Sequence, residues 1–328
     1  MAEHRFVAEA SDVLDRLDKF VVERLARMGT PASRASVQRW LLADRISVDG
    51  RAASASAKVG VGSVVVVAPL DAETTDLEPD ASVPFDILHE DAHLIVVDKP
   101  GGVVVHPARG HAHKTLVHGL LARGSFSLVR AAEGDPLASV RPGIVHRLDK
   151  GTSGVMVIAK DEATREGLKA QFADRDIERA YVALVVGHVE DARFDTLHGR
   201  HRTDRLRFTT HVSTGKRAVT RVHVIERLGA GVSLVECRLE TGRTHQIRVH
   251  LAECANAPIL GDPLYGRPPR DPWLRRIGEE LGRQALHATL LGFVHPETGE
   301  RLVFRRDPPL DFTSALRTLG GKVPPRLS

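Results

Sequence analysis

The chain has 328 residues, 42% hydrophobic and 27% charged, with a formal net charge of +4. That length exceeds one average domain, so two domains with ordinary globular cores are expected. The only cysteines, Cys237 and Cys254, form no C-x-x-C pair. This excludes a disulfide scaffold and points to a reducing cytoplasm. No apolar run reaches the length of a membrane span, and MAEHRFVAEASD lacks a signal-peptide core.

Aromatic residues make up 4% of the chain, so the cores must come from Val, Leu, Ile and Ala. The first unit covers residues 12–68. DVLDRLDKFVVERL carries Val13, Leu14, Leu17, Val21, Val22 and Leu25 at helical spacing, with Ser11 or Asp12 as its cap. SRASVQRWLLAD predicts a second helix, capped by Ser33, with Val37, Trp40 and Leu41 on one face. RISVDG and VGSVVVV follow as strands, and Asp49-Gly50 marks a tight turn. Two helices then a β ribbon, with Arg34 and Arg39 on the second helix, resemble the S-four-like RNA-binding module of ribosomal proteins. Asp44 stands where that family often has Gly. The alternative is a small α+β domain whose arginines face water.

Residues 69–83 hold Asp71, Glu73, Asp76, Glu78 and Asp80 without a basic residue, which predicts an acidic linker. From residue 84 to the end a strand-rich domain is expected. DILHE and HLIVVDK read as strands, Pro100-Gly101-Gly102 as a turn, and HKTLVHGLLAR as a helix. GIVHRLD and GVMVIAK read as strands, and Asp161 caps the helix EATREGLKAQFADRD. RAYVALVVGHV, AVTRVHVIERL, SLVECRLETG and HQIRVHLAEC continue the alternation. Strands adjoin strands with few helices between them. The expected class is α+β, with a mixed, mainly antiparallel central sheet.

Several chemistries drop out. There is no GxxxxGK[ST] loop, no H-E-x-x-H and no G-x-S-x-G elbow, and VGVGSV precedes a strand. His111 with His113, or His198 with His201, lack a third ligand at a recognised metal spacing. No metal and no cofactor are expected. What remains is HRLDKGTSG. Asp149 is the only carboxylate between Asp135 and Asp161. His146, Arg147 and Lys150 surround it, and positive neighbours keep a carboxylate ionised for nucleophilic or general-base work. Gly143, Gly151 and Gly154 allow close backbone approach to a ligand. In LETGRTHQIRVHL, Arg243 and Arg248 present cations, one of which can pair with Asp149. Tyr181 in ERAYVALVVG is either ordinary core or a ring for stacking on a base. Residues 193–221 carry eight Arg or Lys against Asp195 and Asp204, a local +6. That density suits either a solvated loop or a loop that binds phosphate.

HRLDKGTSG, RAYVALVVG and LETGRTHQIRVHL together resemble the RluA family of pseudouridine synthases. VDKPGGVVVHP, GDPLYG and LHATLLGFVHPETGE are similar to the same family, and the likeness runs from about Phe85 to Phe304. With the S-four-like module, the chain is similar to the RluD-type branch, which modifies large-subunit ribosomal RNA. Asp98 departs from the Asn often found there. The resemblance implies that uridine in RNA becomes pseudouridine, an N-glycosidic bond giving way to a C-glycosidic one, without a cofactor. It casts Asp149 as the catalytic aspartate. Arg147 would displace the target base, Tyr181 would pack against it, and Arg248 would pair with Asp149. Arg243 and Lys150 would contact RNA nearby. A uridine in folded RNA must be flipped out, which costs a few kcal/mol. The expected partner is ribosomal RNA or a pre-ribosomal particle, bound by a monomer. Transfer RNA as substrate, a non-catalytic RNA-binding assembly factor, and a hydrolase using Asp149 are the alternatives.

Overall fold

The structure, a computed structural model, describes residues 3–12, 16–30, 32, 34–69, 77–107, 111–124 and 143–322. The chain divides into two compact units, one within residues 1–77 and one that begins at Glu78.

The first unit is a four-stranded sheet with two helices. Its elements are β1 (His4–Val7), α1 (Leu17–Arg27), α2 (Arg34–Leu42), β2 (Ile46–Val48), β3 (Arg51–Ala52) and β4 (Val64–Val67), with sheet order β1-β4-β2-β3. Leu17, Phe20, Val21 and Leu25 of α1 and Val37, Trp40 and Leu41 of α2 meet Ile46, Val65 and Val67 in one core. The helical periodicity therefore points each apolar stripe at the sheet. Asp49 and Gly50 both take positive φ, 50° and 75°, and close the β2–β3 hairpin as a tight turn demands. Asp44 also takes a positive φ, 54°. It adopts the conformation that Gly favours, and a short polar side chain tolerates it best.

The first helix does not start as expected. Ser11 and Asp12 belong to a short 3-10 turn, and Arg16 is the N-cap of α1, with no capping side chain. Its guanidinium instead grips Asp18 in the first turn. Val13, Leu14 and Ser33 lie outside the described residues.

The second unit is built on a ten-stranded sheet. In chain order it contains β5 (Asp86–Glu90), β6 (Leu94–Lys99), α3 (Leu116–Ala122), β7 (Ser153–Ala159), α4 (Glu162–Asp174), β8 (Glu178–Val186), β9 (Ala192–Arg200), β10 (Phe208–Thr209), β11 (Lys216–Arg227), β12 (Val232–Leu239), α5 (Gln246–Val249), α6 (Pro272–Leu281), β13 (Leu286–Val294), β14 (Arg301–Arg305) and α7 (Leu310–Thr318). Strand order is β10-β9-β11-β12-β8-β13-β7-β6-β5, with β14 on β13. The β13–β7 pair is parallel and the other pairs are antiparallel. The sheet is thus mixed and mainly antiparallel, and the class is α+β. Val, Leu, Ile and Ala fill its main core around Val182, Leu184, Leu234 and Ile247, with Phe312 and Leu316 of α7 packed in. The beginning of this unit lies inside the stretch expected as linker. Val83 is buried against Gly119 of α3, and the Asp80 N–H donates to the His118 carbonyl.

Two expected strands differ. HQIRVHLAEC is helical: α5 continues into a π-helical turn over His250–Cys254. Ile247, Val249 and Leu251 mimic β alternation, yet Gln246, Arg248 and His250 between them are buried too. Buried all round from Gln246 to Leu251, this helix has no solvent face there to reveal its period. GIVHRLD makes only one bridge, Ile144 to Ile158. The Val157 N–H is taken by the His146 Nε2 at 3.1 Å, so a side chain replaces the backbone partner. Among the described residues no helix is long and apolar enough to cross a membrane.

Candidate active site

Asp149 ends the GIVHRLD segment and opens a turn, its carbonyl accepting from the Thr152 N–H at 3.0 Å. Leu148 before it is buried and anchors the turn in the main core. The glycines that follow serve the fold itself. A Cβ on Gly154, whose φ is 120°, would lie 2.2 Å from the Ala288 carbonyl oxygen of β13. One on Gly151 would meet Gln284 Oε1 at 2.3 Å. The sequence reading gave these positions to ligand approach. The structure gives them to close packing of the Asp149 turn on β13 and on Gln284 just ahead of it.

A second turn fixes the first. Lys99, wholly buried at the end of β6, donates from Nζ to the Pro100 and Val103 carbonyls, each at 2.8 Å, and to Lys150 at 3.4 Å. The Lys150 carbonyl also accepts from the Gly102 N–H at 2.8 Å. VDKPGG and HRLDKG are thereby bound together. Burial pushes Lys99 down to about 7, although the Asp149 charge acts in the opposite direction.

Arg248 of α5 reaches Asp149: Nη1 donates to Oδ2 at 2.9 Å. The rest of its fork holds Asp262, Nε to Oδ2 at 2.7 Å and Nη2 to Oδ1 at 2.8 Å. The Asp262 side chain is fully buried and also accepts from the Leu264 and Tyr265 N–H groups. Burial works against the Arg248 charge. The hydrogen bonds and charges of Asp262, then of Asp149, outweigh it and hold the guanidinium above its ordinary range. A buried pair of this kind survives only with such extra hydrogen bonds. Arg248 also lies over the Tyr265 ring, 5.0 Å from its centroid, and Arg207 lies 5.3 Å from that centroid.

The other oxygen of Asp149 faces His245, whose Nε2 is 3.8 Å from Oδ1. His245 sits in the left-handed region at φ 58°, a conformation that costs a non-glycine residue energy and turns the chain from β12 into α5. Its Nδ1 is 2.9 Å from the Tyr265 hydroxyl, which accepts from the Phe208 N–H at 2.8 Å. Burial lowers the His245 pKa, against the pull of the Asp149 charge.

Tyr181 stands on β8 opposite Cys237 and Ala288. It is buried, and burial first, then the Asp149 charge, raises its hydroxyl pKa. Arg147 and Lys150 are exposed. Arg243 donates from Nε to the Arg217 carbonyl at 3.1 Å. Of the basic stretch, Arg193, Arg217 and Arg221 are taken up by Asp195 and Glu240. Arg200, Arg202 and Arg205, at the β9–β10 hairpin, are exposed and have no carboxylate partner among the described residues. In the first unit Arg34 is already engaged, its Nε donating to Asp18 at 3.0 Å. Arg39 lies on α2, and its side chain is outside the described residues.

The arrangement thus gathers Asp149, Arg248 and Tyr181. Sequence reasoning gave no role to Lys99, Asp262, His245 or Tyr265. Asp262 and Tyr265 stand in GDPLYG, where a carboxylate and a ring close together were the available signal. A carboxylate held on one side by a fixed cation, with a buried ring nearby, is suited to attack or proton transfer on a group placed against it.

Comparison with known proteins names the class. The sequence pattern described as RNA pseudouridylate synthase matches residues 93–253, which contain Asp149, Tyr181 and Arg248. The chain is 40% identical over 308 residues to "Uncharacterized RNA pseudouridine synthase YlyB" of Bacillus subtilis, covering 93% of this chain and 94% of that one. It is 39% identical over 306 residues to "Ribosomal large subunit pseudouridine synthase D" of Nitrosomonas europaea, covering 93% and 84%. Among solved structures, "Human RNA Pseudouridylate Synthase Domain Containing 1" superposes with a TM-score of 0.55 at 26% identity, over 73% of this chain and 90% of that one. The chain belongs to the RNA pseudouridylate synthase family, isomerases that convert uridine in RNA to pseudouridine.

Proposed function

We propose that the protein isomerises specific uridines of large-subunit ribosomal RNA, acting as a monomer in the cytoplasm without a cofactor. Asp149 is the catalytic carboxylate, Arg248 holds it, and Tyr181 packs against the flipped base. Arg147, exposed beside the Asp149 turn, takes the place of the displaced base. Lys150, Arg243 and the β9–β10 hairpin meet the RNA backbone. Residues 12–68 act as an S-four-like RNA-binding domain through Arg34 and Arg39, and residues 84–328 carry the chemistry. The Arg34 contact to Asp18 leaves that side chain half exposed, so it can serve both tasks.

The observation that carries this reading is the Asp149–Arg248–Asp262 chain next to exposed Arg147 and the Tyr181 ring. The choice of RNA is supported by relatives named "Ribosomal large subunit pseudouridine synthase D" in Nitrosomonas europaea, Zymomonas mobilis and Xanthomonas campestris, 39–43% identical. The test is to incubate the protein with transcribed large-subunit ribosomal RNA or with transfer RNA. Pseudouridine is then mapped by carbodiimide-dependent primer-extension stops. New stops in the ribosomal RNA alone are expected. Stops confined to transfer RNA would overturn the substrate, and no stops in either would leave only a binding protein.

A further inference from the structure

Among the described residues of the second unit, three arginines are at most 8% exposed: Arg179, Arg248 and Arg283. Arg248 and Arg283 each grip a carboxylate with two bonds, Asp262 and Asp311 respectively. Arg179 of β8 grips none, and its Nε has no hydrogen-bond partner. Its guanidinium lies over the Phe172 ring, 5.3 Å from the centroid. The acidic residues beside it in the sheet, Glu178 on β8 and Glu236 on β12, are committed elsewhere. Glu178 holds Arg238 and Arg301, and Glu236 holds Arg238. The neighbouring His146, stacked on Phe172 at 4.8 Å, is neutral because burial depresses it to about 3.

A buried guanidinium without a counter-charge is costly, and arginine does not escape by losing its proton. Such a group in a native fold requires an explanation. Two features show where it points. A Cβ on Gly242, in the loop between β12 and α5, would lie 2.7 Å from Arg179 Nη1, so that glycine leaves room for the guanidinium. Tyr181 stands two residues along the same strand, hence on the same face and about 7 Å away. That spacing is within the reach of one nucleotide from its base to its phosphate.

We propose that Arg179 receives a backbone phosphate of the RNA strand at the target nucleotide, completing its charge when RNA binds beside Tyr181. The proposal rests on the reading of Tyr181 as the residue that meets the target base. Planar bidentate phosphate binding explains an arginine at this place, and Phe172 keeps the fork flat until the phosphate arrives.

The experiment uses the full chain, its Arg179→Gln and Arg179→Lys variants, and a ribosomal RNA fragment. Equilibrium binding is measured across a series of salt concentrations. Arg179→Gln is expected to bind about tenfold more weakly and to lower the slope of log affinity against log salt by about one. Arg179→Lys is expected to recover the slope but not the full affinity. Neither variant is expected to melt earlier, since the lost cation had no partner in the free protein. An unchanged slope with slower single-turnover chemistry would overturn the phosphate assignment in favour of contact with the base. Earlier melting with unchanged binding would make Arg179 a packing residue and equally overturn it. Whether the wild type forms pseudouridine on the same fragment is scored separately. A failure there strikes the proposed function and not the phosphate site.

Discussion

The two units solve the problem of a buried carboxylate in opposite ways. In the first, Asp18 is saturated: Arg16 donates twice at 3.1 Å, Arg34 at 3.0 Å and Gln38 at 2.9 Å. In the second, saturation falls on Asp262, while Asp149 accepts one bond from Arg248 and leaves Oδ1 facing His245 at 3.8 Å. A carboxylate with every lone pair engaged can only hold structure. A carboxylate held at one oxygen keeps the other for a reaction, and a fully bonded neighbour makes that possible by fixing the cation. The contrast teaches that Asp262 is the counterpart of Asp18 and Asp149 is not.

The largest break is expected at Arg248. Arg248→Met leaves Asp262 buried without its cation, which costs about 3–5 kcal/mol. It also releases Asp149, and pseudouridine formation should fall by about 10³-fold or more. Denaturant titration and single-turnover assays read the two effects. Retained activity would show that the cation is dispensable to Asp149.

Acid should separate the units next. In the second unit burial lowers His146 to about 3, and His250 and His287 each to about 4. Their folded values lie below the unfolded 6.5, so the unfolded chain binds protons first. The stability they contribute is complete above about pH 6.5 and is lost as the pH falls toward 4. In the first unit the Arg16 hydrogen bonds, over a desolvation cost, hold Asp18 well below its ordinary 3.8. Its contribution is complete above about pH 4 and is lost only below it. Each unit has one tryptophan, Trp40 and Trp273. With Trp273→Phe, the Trp40 fluorescence should hold to about pH 4, and with Trp40→Phe the Trp273 signal should shift from about pH 6 downward. Simultaneous transitions would erase the contrast.

A smaller effect is expected from Asp18→Asn, which should lower the melting temperature of the first unit by about 5–10 °C and leave the chemistry of a prebound RNA unchanged. A slowed chemical step would show that the hub does more than hold structure. A change of similar size is expected from Tyr265→Phe. The Phe208 N–H and His245 Nδ1 lose a shared partner, at about 1–3 kcal/mol of stability, with activity down by about tenfold at constant RNA affinity. A change in affinity alone would place Tyr265 among the RNA contacts.

How much was legible follows from how local each signal is. Asp161 capping α4 and the Asp49-Gly50 turn depend on neighbours in sequence, and both stand where the sequence puts them. The closeness of Asp149 and Arg248, 99 residues apart, came from motif resemblance and from no local rule. The helix at Gln246–Cys254 was hidden because its residues from Gln246 to Leu251 are all buried, which erased the period. The extended His146 segment was hidden because a ring nitrogen stands in for a strand. Asp262 was hidden because nothing in GDPLYG states which cation it meets. The exposed Arg34 resembled an RNA contact, and only the fold revealed Asp18 beneath it.

The central claim is that the half-bonded carboxylate does the chemistry. Asp149→Asn keeps size and shape and can still accept from Arg248, so the fold should persist. Carbodiimide mapping on ribosomal RNA should then show stops with the wild-type protein and none with Asp149→Asn at equal RNA occupancy. Equal stops with both proteins would contradict the account.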